Sequence, residues 1–418
     1  MTLRETLLAN CYLSTGGVVA REFQLDVGEA VQRNQDIIVQ AFTGSEKTLA
    51  MVILLFTYPT KFIIMASPLN NLQESMCESF DKWGLISYAY NSNVRTPAML
   101  RELRAKRFDV LETAPESLVQ PSALRPLLTD PDWTADCLAI AIDEGHCVID
   151  WGLSGFRPAY ARLSLLRSFM AHDVPFIVVS ATLAPATMSA LARILHFRAG
   201  FKTINLGNIR PNIFWEVRTV DGGQKTSLHY LRFLLPRSVT ADNVNSIPST
   251  IVFVPSRSMT SRVANYLRDL LPKPLSYEAV LPLHAKSKPG RISRVLQCFE
   301  AGRTRILVAT TIAGLGRDFR DVQRVVGYMP PENIEAWVQE AGRGARKDTA
   351  RCWALLLVPK SVFMLRKVKT ELQPPAAPAI PEPVSDAAAG TEEPVADVVP
   401  DQPAADEPPL DTEELLSF

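Results

Sequence analysis

The run Asp36-Ile-Ile-Val-Gln-Ala-Phe-Thr-Gly-Ser-Glu-Lys-Thr48 decides the fold. It reads as an apolar strand, a turn of small residues (Thr43, Gly44, Ser45), and then Lys47-Thr48 opening a helix. Such a turn cradles phosphate. Its backbone N–H groups and the helix N-terminus meet the oxygens, Lys47 neutralises the β/γ charge, and the Thr48 hydroxyl holds Mg²⁺. The usual pattern closes Gly-Lys-Thr, and here Glu46 stands at the glycine. Glycine lets the backbone approach phosphate with no side chain in the way. A carboxylate about 4 Å from a phosphate charge costs about 4 kcal/mol at an effective dielectric of about 20. Taken alone, the run is equally an ordinary strand–turn–helix.

A second stretch shifts the balance. The apolar residues Leu138–Ile142 lead straight into Asp143-Glu144-Gly145-His146. A strand that delivers two adjacent acids at its C-terminal edge suits ATP hydrolysis: Asp143 contacts Mg²⁺ through its water shell, and Glu144 orients or deprotonates the attacking water. Paired acids after a strand can also be a solvated turn, but Lys47-Thr48 lies upstream at a separation natural for one α/β lobe.

The 418 residues exceed one compact core and suit two domains. The longest apolar run, Leu49 to Phe56, is far short of a membrane span, and the N-terminus does not read as a signal peptide. The six cysteines form no CxxC or Cys/His cluster, which argues against disulfides and zinc and for a reducing, intracellular compartment. The formal charge of zero conceals two unlike pieces. Residues 373–418 hold acids and no Lys or Arg, leaving 44 basic against 33 acidic residues in the body. A basic body suits a polyanion. The tail, rich in Pro and Ala, is expected to be disordered, as a solubilising extension or a segment for a protein partner.

Strands are expected at Asp36–Gln40, Lys61–Ala66, Leu138–Ile142, Phe176–Val179, Thr250–Val254, Arg305–Ala309 and Arg324–Gly327. Helices are expected at Thr48–Leu55, Leu72–Trp83, Met259–Leu270, Pro289–Phe299 and Ile334–Ala341. The prolines and glycines between Gly207 and Pro248 mark a junction, so the partition is two α/β lobes with parallel sheets, 1–206 and 207–372, and the tail 373–418.

With these residues placed, the chain resembles the RecQ family of superfamily 2 DNA helicases over about 1–372. Arg21-Glu-Phe-Gln24 resembles the adenine-reading motif, with Gln24 its glutamine. Ser67-Pro68-Leu69 and Thr113-Ala-Pro115-Glu116 resemble motifs that touch the nucleic-acid backbone, and Asp143-Glu-Gly-His146 resembles DEAH. Trp151-Gly-Leu-Ser-Gly-Phe156-Arg157-Pro158-Ala-Tyr160 is similar to the family's aromatic-rich loop. Its Trp151, Phe156 and Arg157 suit the stacking of unpaired bases. Ser180-Ala-Thr182 resembles the coupling motif, and Arg210-Pro211-Asn212 the entry to the second lobe. There, Ser256-Arg257, His284-Ala285, Ala309-Thr310, Gly314-Leu-Gly316-Arg-Asp318 and Gln339-Glu-Ala-Gly342-Arg343-Gly-Ala-Arg346 follow in family order.

The resemblance implies two tandem RecA-like lobes with ATP and Mg²⁺ between them; that no zinc is expected rests on the scattered cysteines. Thr48 and Asp143 would hold the metal; Gly316 and Asp318 would belong to the nucleotide site. Gln339, Arg343 and Arg346, with Arg346 as the finger, would face the phosphoryl group. Arg257 and Thr310 would join Ser67 and Pro68 on the nucleic acid. The partner implied is single-stranded and partly duplex DNA, unwound 3′ to 5′, in a nuclear setting of repair and recombination. Three departures stand out: Glu46 and Ala345 at family glycines, and Gly145 at the alanine of DEAH. Glu46 motivates a rival reading, a decayed helicase that binds nucleic acid or acts as a scaffold without turnover. An RNA-directed enzyme fits less well, because the Trp151–Tyr160 loop favours RecQ.

Overall fold

The computed structural model describes residues 1–363 except 93, 209, 222–227, 241–242, 285, 311–318, 320–321 and 346–349. The expected tail lies outside these residues. Met1–Leu365 form one compact unit, which holds both sheets.

The first sheet is built from β1 (Ile37–Gln40), β2 (Phe62–Ala66), β3 (Ser87–Tyr90), β4 (Val110–Thr113), β5 (Cys137–Ile142), β6 (Phe176–Ser180) and β7 (Lys202–Asn205). All its pairings are parallel, in the order β3-β4-β2-β5-β6-β1-β7. Parallel strands need crossovers, here mostly helical, that cover both faces, so the central strands read as continuous apolar runs. Side chains divide between the faces with period two: Ile38, Ile64, Ile140 and Val178 pack into one core, Ile37, Val39, Ile63, Ile177 and Val179 into the other. The order places β1 beside β6 and β6 beside β5, with Gln40 level with Ser180. The C-terminal ends of these three strands therefore lie side by side, where open α/β sheets form ligand sites.

The second sheet comprises β8 (Ile213–Val220), β9 (Thr250–Phe253), β10 (Val280–Leu283), β11 (Ile306–Ala309), β12 (Arg324–Tyr328) and β13 (Cys352–Pro359). It is again parallel, in the order β10-β11-β9-β12-β13-β8, with cores on both faces. One expectation is corrected here: the stretch read as a junction contains β8, an eight-residue strand of this sheet. The helix expected at Thr48–Leu55 is Lys47–Val52 continued by a 3₁₀ turn, Ile53–Phe56.

One buried acid pins the start of β1. The Asp36 side chain is fully buried, accepts from the Phe176 amide (2.8 Å) and the Arg198 amide (2.9 Å), and pairs with Arg167 (2.9 Å) and Arg198 (3.1 Å). Burial alone would raise this carboxyl, but the hydrogen bonds from Arg198, Phe176 and Arg167 outweigh it and hold it below the usual value. Its contribution is therefore whole above an unfolded pKa of about 4 and is lost as pH falls through the lower folded value. We expect Asp36→Asn to cost about 3–5 kcal/mol in urea unfolding at neutral pH. The gap to wild type should narrow below about pH 4; a variant as stable as wild type at neutral pH would contradict this anchor.

Candidate functional site

The loop after β1 has the backbone shape expected of a phosphate cradle. Gly44 lies at φ 87°, and Glu46, N-terminal to the helix Lys47–Val52, lies at φ 62°, ψ 45°. That is left-handed backbone, which costs a residue bearing a Cβ about 1–2 kcal/mol. Glu46 thus keeps the shape glycine would give, held by its neighbours. Gln24 is fully buried; its amide donates to the Glu46 carbonyl (3.0 Å) and its Oε1 accepts from the Arg21 amide (2.7 Å). Arg21 Nε lies 3.5 Å from the Glu46 carboxylate, so the carboxylate leans toward Arg21 at the half-exposed side of the loop. The Ser45 hydroxyl donates to the Phe42 carbonyl (2.7 Å), and the Lys47 ammonium to the Ala41 (3.1 Å) and Phe42 (3.3 Å) carbonyls.

The end of β5 brings the acids to this loop. Asp143 is buried, and burial, with the charge of Glu144, raises its carboxyl to about 7 against the pull of Lys47. Glu144 takes a left-handed backbone (φ 50°), and its Oε2 is buried without a hydrogen bond, 3.3 Å from His146 Nδ1. His146 Nδ1 is 3.0 Å from the Ser180 hydroxyl at the end of β6. Gly145 has a packing reason: a Cβ there would come within 2.3 Å of Val178 Cγ1.

The second sheet closes over the same spot. On the helix Ile334–Ala341, Gln339 Nε2 lies 3.3 Å from both ring nitrogens of His146 and donates to the Thr182 hydroxyl (3.2 Å). The Thr43 hydroxyl donates to the Gly342 carbonyl (2.9 Å), and a Cβ on Gly342 would lie 2.3 Å from that hydroxyl. Buried Arg210 donates to the Thr43 carbonyl (2.9 Å) and to those of Gly344 (3.2 Å) and Ala345. Asn212 also donates to Ala345 O (2.9 Å), which fixes Ala345 at φ 49°, again glycine's conformation. Between these walls lies a cavity of about 1040 Å³, lined among others by Thr43, Gly44, Lys47, Thr48, Asp143, Glu144, Gln339 and the largely buried Arg343. Gly316, Asp318 and Arg346 lie outside the described residues.

The residues expected on nucleic acid are arranged less openly. Ser67 is fully buried, its hydroxyl donating to Glu112 (2.6 Å), and burial pushes that carboxyl well above its usual value. Arg157 makes a two-point pair with Glu116 (2.8 and 2.5 Å) and donates to the Pro68 carbonyl, joining three of the expected motifs. Trp151 and Phe156 meet edge to face (5.6 Å), with Phe156 exposed, and both line the cavity with Pro68 and Thr310. Arg257 is exposed at the start of the helix Arg257–Asp269. Sequence reasoning gave no role to Glu112, whose one signal is an acid inside an apolar strand, and read Arg210 only as a lobe entry.

Two outcomes follow from this geometry. Glu46→Gly should relieve left-handed strain against the entropy glycine adds to the unfolded chain, a net gain of about 0.5–1 kcal/mol in thermal unfolding; a loss of stability would contradict the strain. Gln339→Ala should leave unfolding unchanged while lowering any nucleotide turnover by about tenfold or more, through misplacement of His146 and Thr182.

Comparison with known proteins agrees with this arrangement. Residues 21–191 match the model of the DEAD/DEAH box helicases, and residues 229–348 that of the helicase conserved C-terminal domain. The ATP-dependent DNA helicase RecQ of Haemophilus influenzae is 27% identical over 354 residues, 84% of this chain and 53% of that protein. The bifunctional 3′-5′ exonuclease/ATP-dependent helicase WRN of Mus musculus is 28% identical over 347 residues, 82% of this chain and 23% of its own. The chain thus spans about half the length of the first relative and less of the second. Among solved structures, the Mycobacterium smegmatis helicase Lhr bound to single-stranded DNA and AMP-PNP aligns at TM-score 0.65 and 22% identity, covering 86% of this chain and 48% of that one. The DEAD-box helicase Mss116 bound to single-stranded RNA aligns at 0.69 and 16%, covering 86% and 76%. These two likenesses speak for the fold. The chain belongs to the superfamily 2 helicases: it is a two-lobed helicase core, DEAD/DEAH box in its first lobe and conserved C-terminal domain in its second, with RecQ helicases among its relatives.

Proposed function

We propose that this core is an ATP-dependent DNA helicase of RecQ type, which couples hydrolysis to 3′-to-5′ movement along a single strand and to duplex separation. The observation that carries the reading is the contact of three first-lobe motifs with the arginine motif: Thr43 on Gly342, and Gln339 on His146 and Thr182. A site built from both lobes senses whether they are closed, which is what converting hydrolysis into movement requires.

The residues present fit a magnesium-bound triphosphate. The cavity is large enough, Lys47 and Thr48 face Asp143 within it, and Arg343 lines it from the second lobe. Lys47, Thr48 and Asp143 would hold the nucleotide and Mg²⁺, which when bound supplies neutralising charge to the β/γ oxygens. Glu144, its Oε2 buried and unbonded, would accept the proton of the attacking water; His146 beside it would orient that carboxylate, and Gln339 reaches His146 from the second lobe. Arg343, and Arg346 by resemblance, would stabilise charge on the phosphoryl group. Trp151 and Phe156 would stack on unpaired bases, and the Arg157–Glu116 pair would set that loop against Pro68.

The second reading, a binder without turnover, rests on Glu46. The lean of its carboxylate toward Arg21 favours turnover, because it reduces the charge facing the phosphates. Single-stranded DNA should therefore stimulate phosphate release by the purified protein, and Lys47→Ala and Glu144→Gln should each abolish it; no release at millimolar ATP from wild type, with release from Glu46→Gly, would establish the binder. Arg21→Ala should weaken ATP binding by about tenfold when Glu46 is present and have little effect beside Glu46→Gly. Equal effects in both backgrounds would show that Arg21 does not restrain the carboxylate.

A further inference from the structure

Among the described residues, strand β8 is an edge of the second sheet, with β13 as its strand neighbour. Three of its large apolar side chains stay in solvent: Phe214 is 53% exposed, Trp215 44% and Val217 54%. Native edges are usually blunted by proline, a bulge, shortness, charged side chains or a covering segment, and of these β8 carries the charges Glu216 and Arg218. Within Ile213-Phe-Trp-Glu-Val-Arg-Thr-Val220 there is no proline, and the register with β13 runs unbroken from Ile213–Cys352 to Val220–Pro359.

The backbone fixes which groups this edge offers. The Cys352 N–H donates to the Asn212 carbonyl, so even-numbered residues turn their amides toward β13. Trp215, Val217 and Thr219 consequently turn their N–H and C=O groups outward. Two copies of this strand running antiparallel can pair these groups in a few registers, and charge chooses among them. A register with Glu216 opposite Glu216, or Arg218 opposite Arg218, sets like charges face to face. Centring on Trp215 leaves Glu216 opposite Phe214 and forms no charge pair. Centring on Val217 puts Glu216 of each copy opposite Arg218 of the other, twice, and brings Trp215 beside Thr219. Glu216 (37% exposed) and Arg218 (47%) pair with each other along their own strand, and Trp353 Nε1 donates to Glu216 (2.8 Å), so docking would exchange that in-strand pair for two cross-strand ones. One strand thus carries outward backbone groups, exposed apolar side chains and a self-complementary charge pattern.

We propose that β8 docks a second copy of this chain, antiparallel about Val217, joining the two second-lobe sheets across a closed two-fold axis. The proposal is independent of nucleotide turnover. Sedimentation equilibrium of the full chain at concentrations up to about 100 µM should show a monomer–dimer equilibrium. Glu216→Arg and Arg218→Glu should each raise the dissociation constant by at least about tenfold, since each makes both cross-strand pairs like-charged. Mixing the two variants rebuilds both pairs with opposite charges, so the mixture should associate as a heterodimer, which also shows that both variants fold. A wild-type monomer throughout would overturn the proposal. So would a dimer that neither variant weakens, or weakened variants that fail to associate when mixed.

Discussion

Buried Arg210 is the constraint on which the rest of the site depends. Its guanidinium donates to the Thr43 carbonyl in the phosphate loop and to the Gly344 and Ala345 carbonyls in the arginine motif. A buried guanidinium is costly unless its donors are met, and the backbone of both lobes meets them. One side chain therefore helps to set the shapes of the loop after β1 and of the turn that carries Arg343. The Thr43–Gly342 hydrogen bond and the Gln339–His146–Ser180 chain lie alongside and span the same cleft. Separating the two motifs would cost the Thr43, Gly342, Gly344 and Ala345 carbonyls these donors.

The two lost glycines look alike in this frame. Glu46 and Ala345 both occupy left-handed backbone, and in each case a side chain bonds the residue's own carbonyl: Gln24 for Glu46, Arg210 and Asn212 for Ala345. The surroundings impose the glycine conformation on residues that would not choose it, and such strain concentrates at functional sites. Gly145 is the converse case, a position too close to Val178 for the alanine of the usual motif.

Much of this was legible in the sequence because parallel sheets bury both faces of their central strands. The runs at β1, β5, β6, β9 and β11 could hardly be anything else, and the candidate site residues follow two of them: Lys47 and Thr48 after β1, Asp143 and Glu144 after β5. The interior strands β4 and β13 were not expected, and edge strands were harder still. β3 (Ser-Tyr-Ala-Tyr) and β7 (Lys-Thr-Ile-Asn) carry polar residues on half-covered faces, and β8 was hidden among flanking prolines and glycines. In the site, Arg210 acts on carbonyls, which leave no mark in sequence. Ser67 was expected on nucleic acid but lies under Glu112 of the adjoining β4, a cross-strand neighbour that only the sheet order reveals.

The central claim is that one nucleotide is gripped from both lobes at once. Hydrogen–deuterium exchange with and without a magnesium-bound, non-hydrolysable ATP analogue tests it most directly. Amides of residues 41–48 and of residues 339–345 should gain protection together, with the same dependence on analogue concentration. Protection confined to the first segment, or to neither, would contradict it.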